Sequence, residues 1–223
     1  MNLNGVKARP DAGRRRWLAH CSALALAPWL AGPVVAKAPA VILVVGDSLS
    51  AEYGIRRGSG WVALLEQRLE REKLDARVVN ASISGDTTAG GRSRLPALLK
   101  QHRPTHVILE LGGNDALRGQ PLSATEANLS EMARAARAAG ARVLIAGMQL
   151  PPNYGRRYGE DFAQLYARVA KEHDAALVPF FLRNVADVGD PTALFQADRI
   201  HPREEAQPLL LDNVWPVLRP LLK

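Results

Sequence analysis

The chain has 223 residues, 47% of them apolar, which fits one domain with room for a sizeable core. Its net charge of +7 is concentrated at the front. Lys7, Arg9, Arg14, Arg15, Arg16 and Lys37 face Asp11 alone within residues 1–38, so the other 185 residues carry only +2 and make no case for nucleic-acid binding. The single cysteine, Cys21, lies in a segment expected to be removed, which leaves the remainder without a disulfide framework, a thiolate zinc site or a cysteine nucleophile.

Residues 1–38 have the three parts of an export signal: Arg14-Arg15-Arg16, an apolar run from Trp17 to Val35, and the small-x-small site Ala36-Lys37-Ala38. Pro28, Gly32 and Pro33 interrupt the apolar run, which argues against a stable membrane span. The arginine run also approximates a twin-arginine signal, so either export route is open. A disordered or anchoring N-terminus is the alternative. The expected mature protein, residues 39–223, is then periplasmic or secreted.

From Ala40 the chain alternates strand and helix. Val41-Ile42-Leu43-Val44-Val45 reads as a strand buried on both faces, and it stops at Gly46. Trp61, Leu64, Leu65 and Leu69 recur at helical spacing. Arg77-Val78-Val79 is a short second strand, and Leu95, Leu98 and Leu99 share a helical face. Thr105 to Leu111 reads as a third strand. Ala124 to Ala139 is a helix stopped by Gly140, and Arg142 to Gly147 is a fourth strand. Phe162, Leu165, Tyr166 and Val169 mark another helix, and Ala176 to Phe180 a fifth strand or its fragment. Glu204 to Leu222 is a terminal helix interrupted by Pro208 and Pro216. Such alternation predicts an α/β fold: a three-layer α/β/α sandwich on a five-stranded parallel sheet.

In that fold the loops after strand C-termini hold the ligands. The first delivers Gly46-Asp47-Ser48-Leu49, with Asp47 and Ser48 at the ligand end and Ser48 a candidate nucleophile. The same residues also make an ordinary turn. The second carries Gly85 in Asn80 to Thr88. Glycine lets the backbone approach a ligand and present its N–H, though an ordinary polar loop reads the same way. The third is Glu110-Leu111-Gly112-Gly113-Asn114-Asp115. The Asn114 amide is a neutral donor suited to an oxyanion, or a bond to its own turn. Near the end stands Asp198-Arg199-Ile200-His201-Pro202. Three-residue spacing brings the carboxylate and imidazole within reach, and Pro202 suits the first position of the last helix. A surface pair is the plainer reading. His102, His106 and His173 are expected on the surface.

In order, Gly46-Asp47-Ser48-Leu49, Gly85, Gly112-Gly113-Asn114-Asp115 and Asp198-x-x-His201 resemble the four blocks of the SGNH, or GDSL, hydrolases. Asn80 to Thr87, Leu95 to His102 and Asn153 to Tyr158 resemble a periplasmic bacterial subgroup of esterases, thioesterases and lysophospholipases. Glu52 and Gly54 to Arg57 depart from that subgroup's pattern and leave the acyl preference open. The resemblance implies the flavodoxin-like SGNH fold and hydrolysis of carboxylic esters and thioesters through an acyl-serine. It implies Ser48 as nucleophile, His201 as base and Asp198 as its orienter. It further implies an oxyanion hole from Ser48 N–H, Gly85 N–H and Asn114, and a loop of Ala116, Leu117, Arg118, Gly119 and Gln120 that helps hold the acyl chain.

No metal or cofactor is expected, since Asp47, Asp115 and Asp198 lack cation-ligand spacing. The expected partners are small acyl esters or thioesters, with neither nucleic acid nor membrane span, and the expected state is a monomer. A carbohydrate O-acetylesterase would use the same residues. A phosphate- or nucleotide-binding module is a reading from another class, but the chain has neither Gly-x-Gly-x-x-Gly nor a Walker loop, and Asp198 and His201 would be left without a role. The absence of Gly-x-Ser-x-Gly disfavours the α/β-hydrolase family.

Overall fold

Alternating buried strands and amphipathic helices form a parallel sheet covered on both faces, as the pattern requires. The computed structural model describes residues 38–190 and 192–223. The expected export signal lies outside the described residues except for Ala38. The strands are β1 (Ala40–Gly46), β2 (Ala76–Asn80), β3 (His106–Glu110), β4 (Arg142–Ala146) and β5 (Ala176–Val178). All pair in parallel, in the order β2-β1-β3-β4-β5. The helices are α1 (Trp61–Arg71), α2 (Thr88–His102), α3 (Gly113–Leu117), α4 (Leu122–Ala138), α5 (Arg156–Glu172) and α6 (Gln207–Leu218). On one face α1 packs with α6; on the other, α2, α4 and α5 pack together.

The chain runs from β1 out to β2, then returns to the other side of β1 as β3. The strand order therefore reverses at β1, and the loops after β1 and β3 diverge there to leave a crevice. Ile42 to Val45 and Val107 to Leu109 are fully buried, so the central strands are fixed by burial on both faces. Gly140, at φ +84°, ends α4 with Gly140 N–H donating to Arg137 O and Ala141 N–H to Ala136 O.

Asp115 fastens α2 to the crevice. Its fully buried carboxylate accepts from Thr88 N–H at 2.9 Å and from the Thr88 hydroxyl, while Asn128 Nδ2 donates to that hydroxyl at 3.0 Å. A negative group at a helix N-terminus satisfies donors that the helix itself cannot.

Four expectations are corrected. Strand β5 stops at Val178 rather than Phe180, because Gly147 N–H bonds Val178 O and Phe181 N–H bonds Gly147 O, turning the chain away. Pro202 does not open the last helix. It pairs with Phe195 in an isolated bridge, a 3-10 turn follows at Glu204–Ala206, and Pro208 takes the early position in α6. His106 is buried rather than on the surface, with its ring against Thr105 Oγ1 and Leu221 O, both at 2.8 Å. Ala116 and Leu117 belong to the short helix α3 rather than to a loop.

Candidate active site

In the β1–β3 register Gly46 lies opposite Glu110, and paired residues of a parallel ladder point to the same side. Glycine leaves the room that the Glu110 carboxyl fills: a Cβ at position 46 would sit 2.8 Å from Glu110 Oε2. That oxygen accepts from the Ser50 hydroxyl at 2.7 Å and, at 3.4 Å, from Asp47 N–H. Ser50 Oγ in turn accepts from Trp61 Nε1 at 3.1 Å, and Asn80 Nδ2 donates to Ser50 O at 2.7 Å. Residues 47–51 are thus held on both sides, with Ser50 N–H and Ala51 N–H donating to Asp47 O.

Ser48 sits on this turn. His201 Nε2 lies 2.9 Å from Ser48 Oγ, and His201 Nδ1 lies 2.7 Å from Asp198 Oδ2. Asp198 Oδ1 accepts from Ile200 N–H at 2.9 Å and His201 N–H at 3.0 Å, with Arg199 between them at φ +58°. The three-residue spacing therefore closes a local turn that presents the imidazole to its own carboxylate. Slight burial opposes ionisation of Asp198, but those two backbone bonds and the His201 ring outweigh it and lower its pKa to about 2. Asp190, the other nearby acid, instead caps its own turn, accepting from Thr192 N–H and the Thr192 hydroxyl.

Asn114 stands in the first turn of α3. Its Nδ2 donates one hydrogen to Asp47 Oδ2 at 3.0 Å, while Asp47 Oδ1 accepts from Leu49 N–H at 3.0 Å. Because a carboxylate only accepts, Asp47 fixes the orientation of the Asn114 amide and leaves its second N–H free to be aimed elsewhere. Burial raises Asp47's pKa to about 6, against the bonds from Leu49 and Asn114 that favour its charge. Burial, reinforced by the Asp47 charge, pushes Glu110 well above the ordinary carboxyl range.

Gly112 before α3 has φ +118°, and a Cβ there would lie 2.2 Å from the Tyr166 hydroxyl, which donates to Leu111 O at 3.1 Å. No other residue fits that corner. Gly85 comes from the loop after β2, at φ +78°. Arg94 ties this loop to β1, donating to Asp86 at 2.8 Å, to Ala81 O, and to Gly46 O at 3.3 Å.

The expected substrate-binding residues divide. Asp47 is only 3% exposed and faces Asn114, so it supports the site from beneath instead of contacting substrate. Ala116 is likewise 3% exposed and packs inward. Leu117 is exposed, and Arg118 Nη2 donates to Gly85 O at 2.8 Å, bridging α3 to the loop after β2. Gly119 and Gln120 turn the chain, with Gly119 N–H on Ala116 O and Gln120 N–H on Asp115 O. No role at the site was expected for Glu110, Ser50 or Trp61. An acid ending an otherwise apolar strand was the available signal for Glu110. A cleft of about 600 Å³ beside Phe180, Arg183 and Asn213 contains none of the candidate residues. Side-chain geometry, not cavity size, locates this site. Among the described residues no cluster of His, Cys, Asp and Glu could hold a metal.

Comparison with known proteins adds three findings. The family model described as the GDSL-like lipase/acylhydrolase family matches residues 44–208. Esterase TesA of Pseudomonas aeruginosa is 58% identical over 181 residues, covering 81% of this chain and 89% of that protein, and a crystal structure of TesA superposes with a TM-score of 0.78 at 57% identity, covering 81% of this chain and 99% of that one. Thioesterase 1/protease 1/lysophospholipase L1 of Escherichia coli is 45% identical over 187 residues, covering 84% of this chain and 87% of that protein.

Two outcomes follow from the geometry. Asp47→Asn leaves one carbonyl oxygen for two donors; with that oxygen on Leu49 N–H, its NH₂ faces the Asn114 amide, which then flips and turns its carbonyl outward. If the outward N–H stabilises the transition state, kcat falls on the order of 10²-fold to 10³-fold with KM little changed. An unchanged kcat would show that the amide does no such work. The second outcome concerns the carboxyl beneath the turn. A raised folded pKa means that the folded state keeps a proton that the unfolded chain releases above about 4.5, so stability is lost as pH rises from there toward the folded value. Glu110→Gln removes that titration. Urea unfolding at pH 5 and pH 8 should show the variant gaining on the parent as pH rises, by up to about 1.4 kcal/mol per pH unit. A difference independent of pH would mean that Glu110 is ionised in the fold.

Proposed function

The chain belongs to the GDSL-like lipase/acylhydrolase, or SGNH, family and is a serine esterase, and we propose that Ser48 is its nucleophile, His201 its general base and Asp198 the orienter of His201. The observation that carries this reading is the continuous line from Asp198 Oδ2 through His201 to Ser48 Oγ, with links of 2.7 and 2.9 Å. Asp198 accepts from Nδ1–H and fixes the tautomer, which leaves Nε2 unprotonated and facing the serine. As Ser48 Oγ attacks the ester carbonyl, Nε2 takes its proton. The carbonyl oxygen gains charge and is held by Ser48 N–H, Gly85 N–H and the outward N–H of Asn114. His201 then gives the proton to the leaving group, and water repeats the cycle on the acyl-serine. Asp198's depressed pKa keeps it charged throughout the pH range in which a histidine base works. The charge stabilises the imidazolium without taking the proton.

For substrates we propose acyl thioesters and lysophospholipids, on the strength of the name of the Escherichia coli relative, and aryl esters, because an arylesterase of Vibrio mimicus is 43% identical over 173 residues. Leu117 and Arg118 are the exposed residues of α3 and its turn beside the proposed oxyanion donors, and we assign them to the acyl or leaving group. The three-part N-terminus supports export and work outside the cytoplasm. Among the described residues no helix is long and apolar enough to cross a membrane.

Turnover of p-nitrophenyl esters by paired variants tests the assignment. Asp198→Asn should lose up to about 10⁴-fold in kcat while keeping its circular-dichroism spectrum. Asp190→Asn, altered only at its own turn, should keep most activity. The reverse pattern would overturn the roles given to Asp198 and His201.

A further inference from the structure

Two hydrogen bonds hold His201, one at each ring nitrogen. They define an axis through the ring, and rotation about that axis leaves both bonds made. Bonds at the edges therefore leave the tilt of the imidazole to its Cβ tether and to whatever group packs on its face. That group is Tyr53, whose ring centroid lies 4.3 Å from that of His201 at an interplanar angle of 39°.

Tyr53 is half-exposed, at 50%, yet its backbone is tied on both sides. Tyr53 N–H donates to Ser48 O at 3.4 Å. Its carbonyl accepts from Gln196 Nε2 at 2.9 Å, and the same Nε2 donates to Pro202 O at 3.2 Å. Gln196 N–H donates to His201 O at 2.7 Å. One glutamine side chain and its own backbone thus join the loop that carries Ser48 to the loop that carries His201. Gly54, at φ +70°, makes room for it, since a Cβ there would meet Gln196 Oε1 at 2.1 Å. Glu52, at φ +59°, stiffens the other flank, accepting from Gly58 N–H and Gly60 N–H, both at 2.9 Å.

We propose that Tyr53 is a positioning residue that locks the tilt of the His201 ring, and that Gln196 is the clasp holding Tyr53 in place. The proposal rests on His201 being the base. The aromatic face has a second use once His201 has taken the serine proton, because an imidazolium beside a π-face is attracted to it and a neutral ring much less so. The contact strengthens as the transition state forms, and the effect belongs in kcat. The phenolic hydroxyl takes no part, so phenylalanine can replace tyrosine.

Steady-state kinetics on one p-nitrophenyl ester, with thermal unfolding of each variant, tests this. Tyr53→Phe should stay within about twofold of the parent in kcat. Tyr53→Leu keeps an apolar cover but loses the flat π-face, and should lower kcat about 3-fold to 30-fold with KM within twofold. Gln196→Leu should lower kcat in the same direction. The double variant should lose no more than the worse single, because both act on one ring. A Tyr53→Leu variant with raised KM and unchanged kcat would make Tyr53 a substrate contact and overturn the proposal. So would a Tyr53→Phe variant as impaired as Tyr53→Leu. His201→Ala separates the two levels. If it stays active, the base assignment fails; if it is inactive while Tyr53→Leu equals the parent, only the positioning role fails. Should Gln196→Leu not fold, the two Tyr53 variants decide alone.

Discussion

The turn that carries Ser48 hangs on a buried carboxyl group. Glu110 ends the central strand β3 directly across from Gly46, and among the described residues it enters no ion pair. It gathers the Ser50 hydroxyl and Asp47 N–H on one oxygen, and Trp61 reaches the same cluster through Ser50. An ionised carboxylate in that place would cost several kcal/mol to desolvate, and burial accordingly pushes the Glu110 pKa well above the ordinary carboxyl range. The position of Ser48 depends on this packing, because a turn of five residues cannot hold its own direction against solvent.

The same constraint divides the labour between neighbouring acids. Asp47 and Glu110 share one buried corner: burial raises the pKa of both, and the Asp47 charge raises that of Glu110 further. Asp47 accepts from two N–H donors on separate oxygens, Leu49 N–H and Asn114 Nδ2, which favours its charge and orients the Asn114 amide. Asp115, one residue on, is committed to the start of α2. Asp198 is more exposed and well bonded, with a pKa lowered to about 2. Four carboxyls near one serine thus support the turn, the amide, the helix and the imidazole. Their environments, rather than their chemical type, set them apart.

The proposed reacting groups are legible in the sequence, while the residues that support them are not. Ser48, Gly85, Asn114, Asp198 and His201 could be found because each falls in a loop expected at a strand C-terminus, and each has a side chain or backbone suited to acyl transfer. The parallel sheet was readable from β1 and β3, whose apolar runs leave little choice. Supports are different. Gln196 reaches Tyr53 across 143 positions, and His106 is buried because the C-terminal carbonyl of Leu221 folds back onto it. Spacing along the chain carries no trace of such contacts. Pro202 misled for a related reason: a proline before a helix marks its start only when the chain continues straight, and here the bridge to Phe195 turns it first. Ala116 and Asp47 were expected to bind substrate because each follows a strand C-terminus; one helical turn puts Ala116 underneath, and a bond to Asn114 turns Asp47 inward.

The central claim is that one serine, one imidazole and three donors converge on a single reacting carbonyl. A crystal structure of the protein inactivated with diethyl p-nitrophenyl phosphate tests it most directly, since the phosphoryl oxygen stands in for the oxyanion. The account predicts phosphorus bonded to Ser48 Oγ, with the phosphoryl oxygen about 2.7–3.1 Å from Ser48 N, Gly85 N and Asn114 Nδ2. An adduct on another residue, or a phosphoryl oxygen turned away from Asn114 toward solvent, would contradict it.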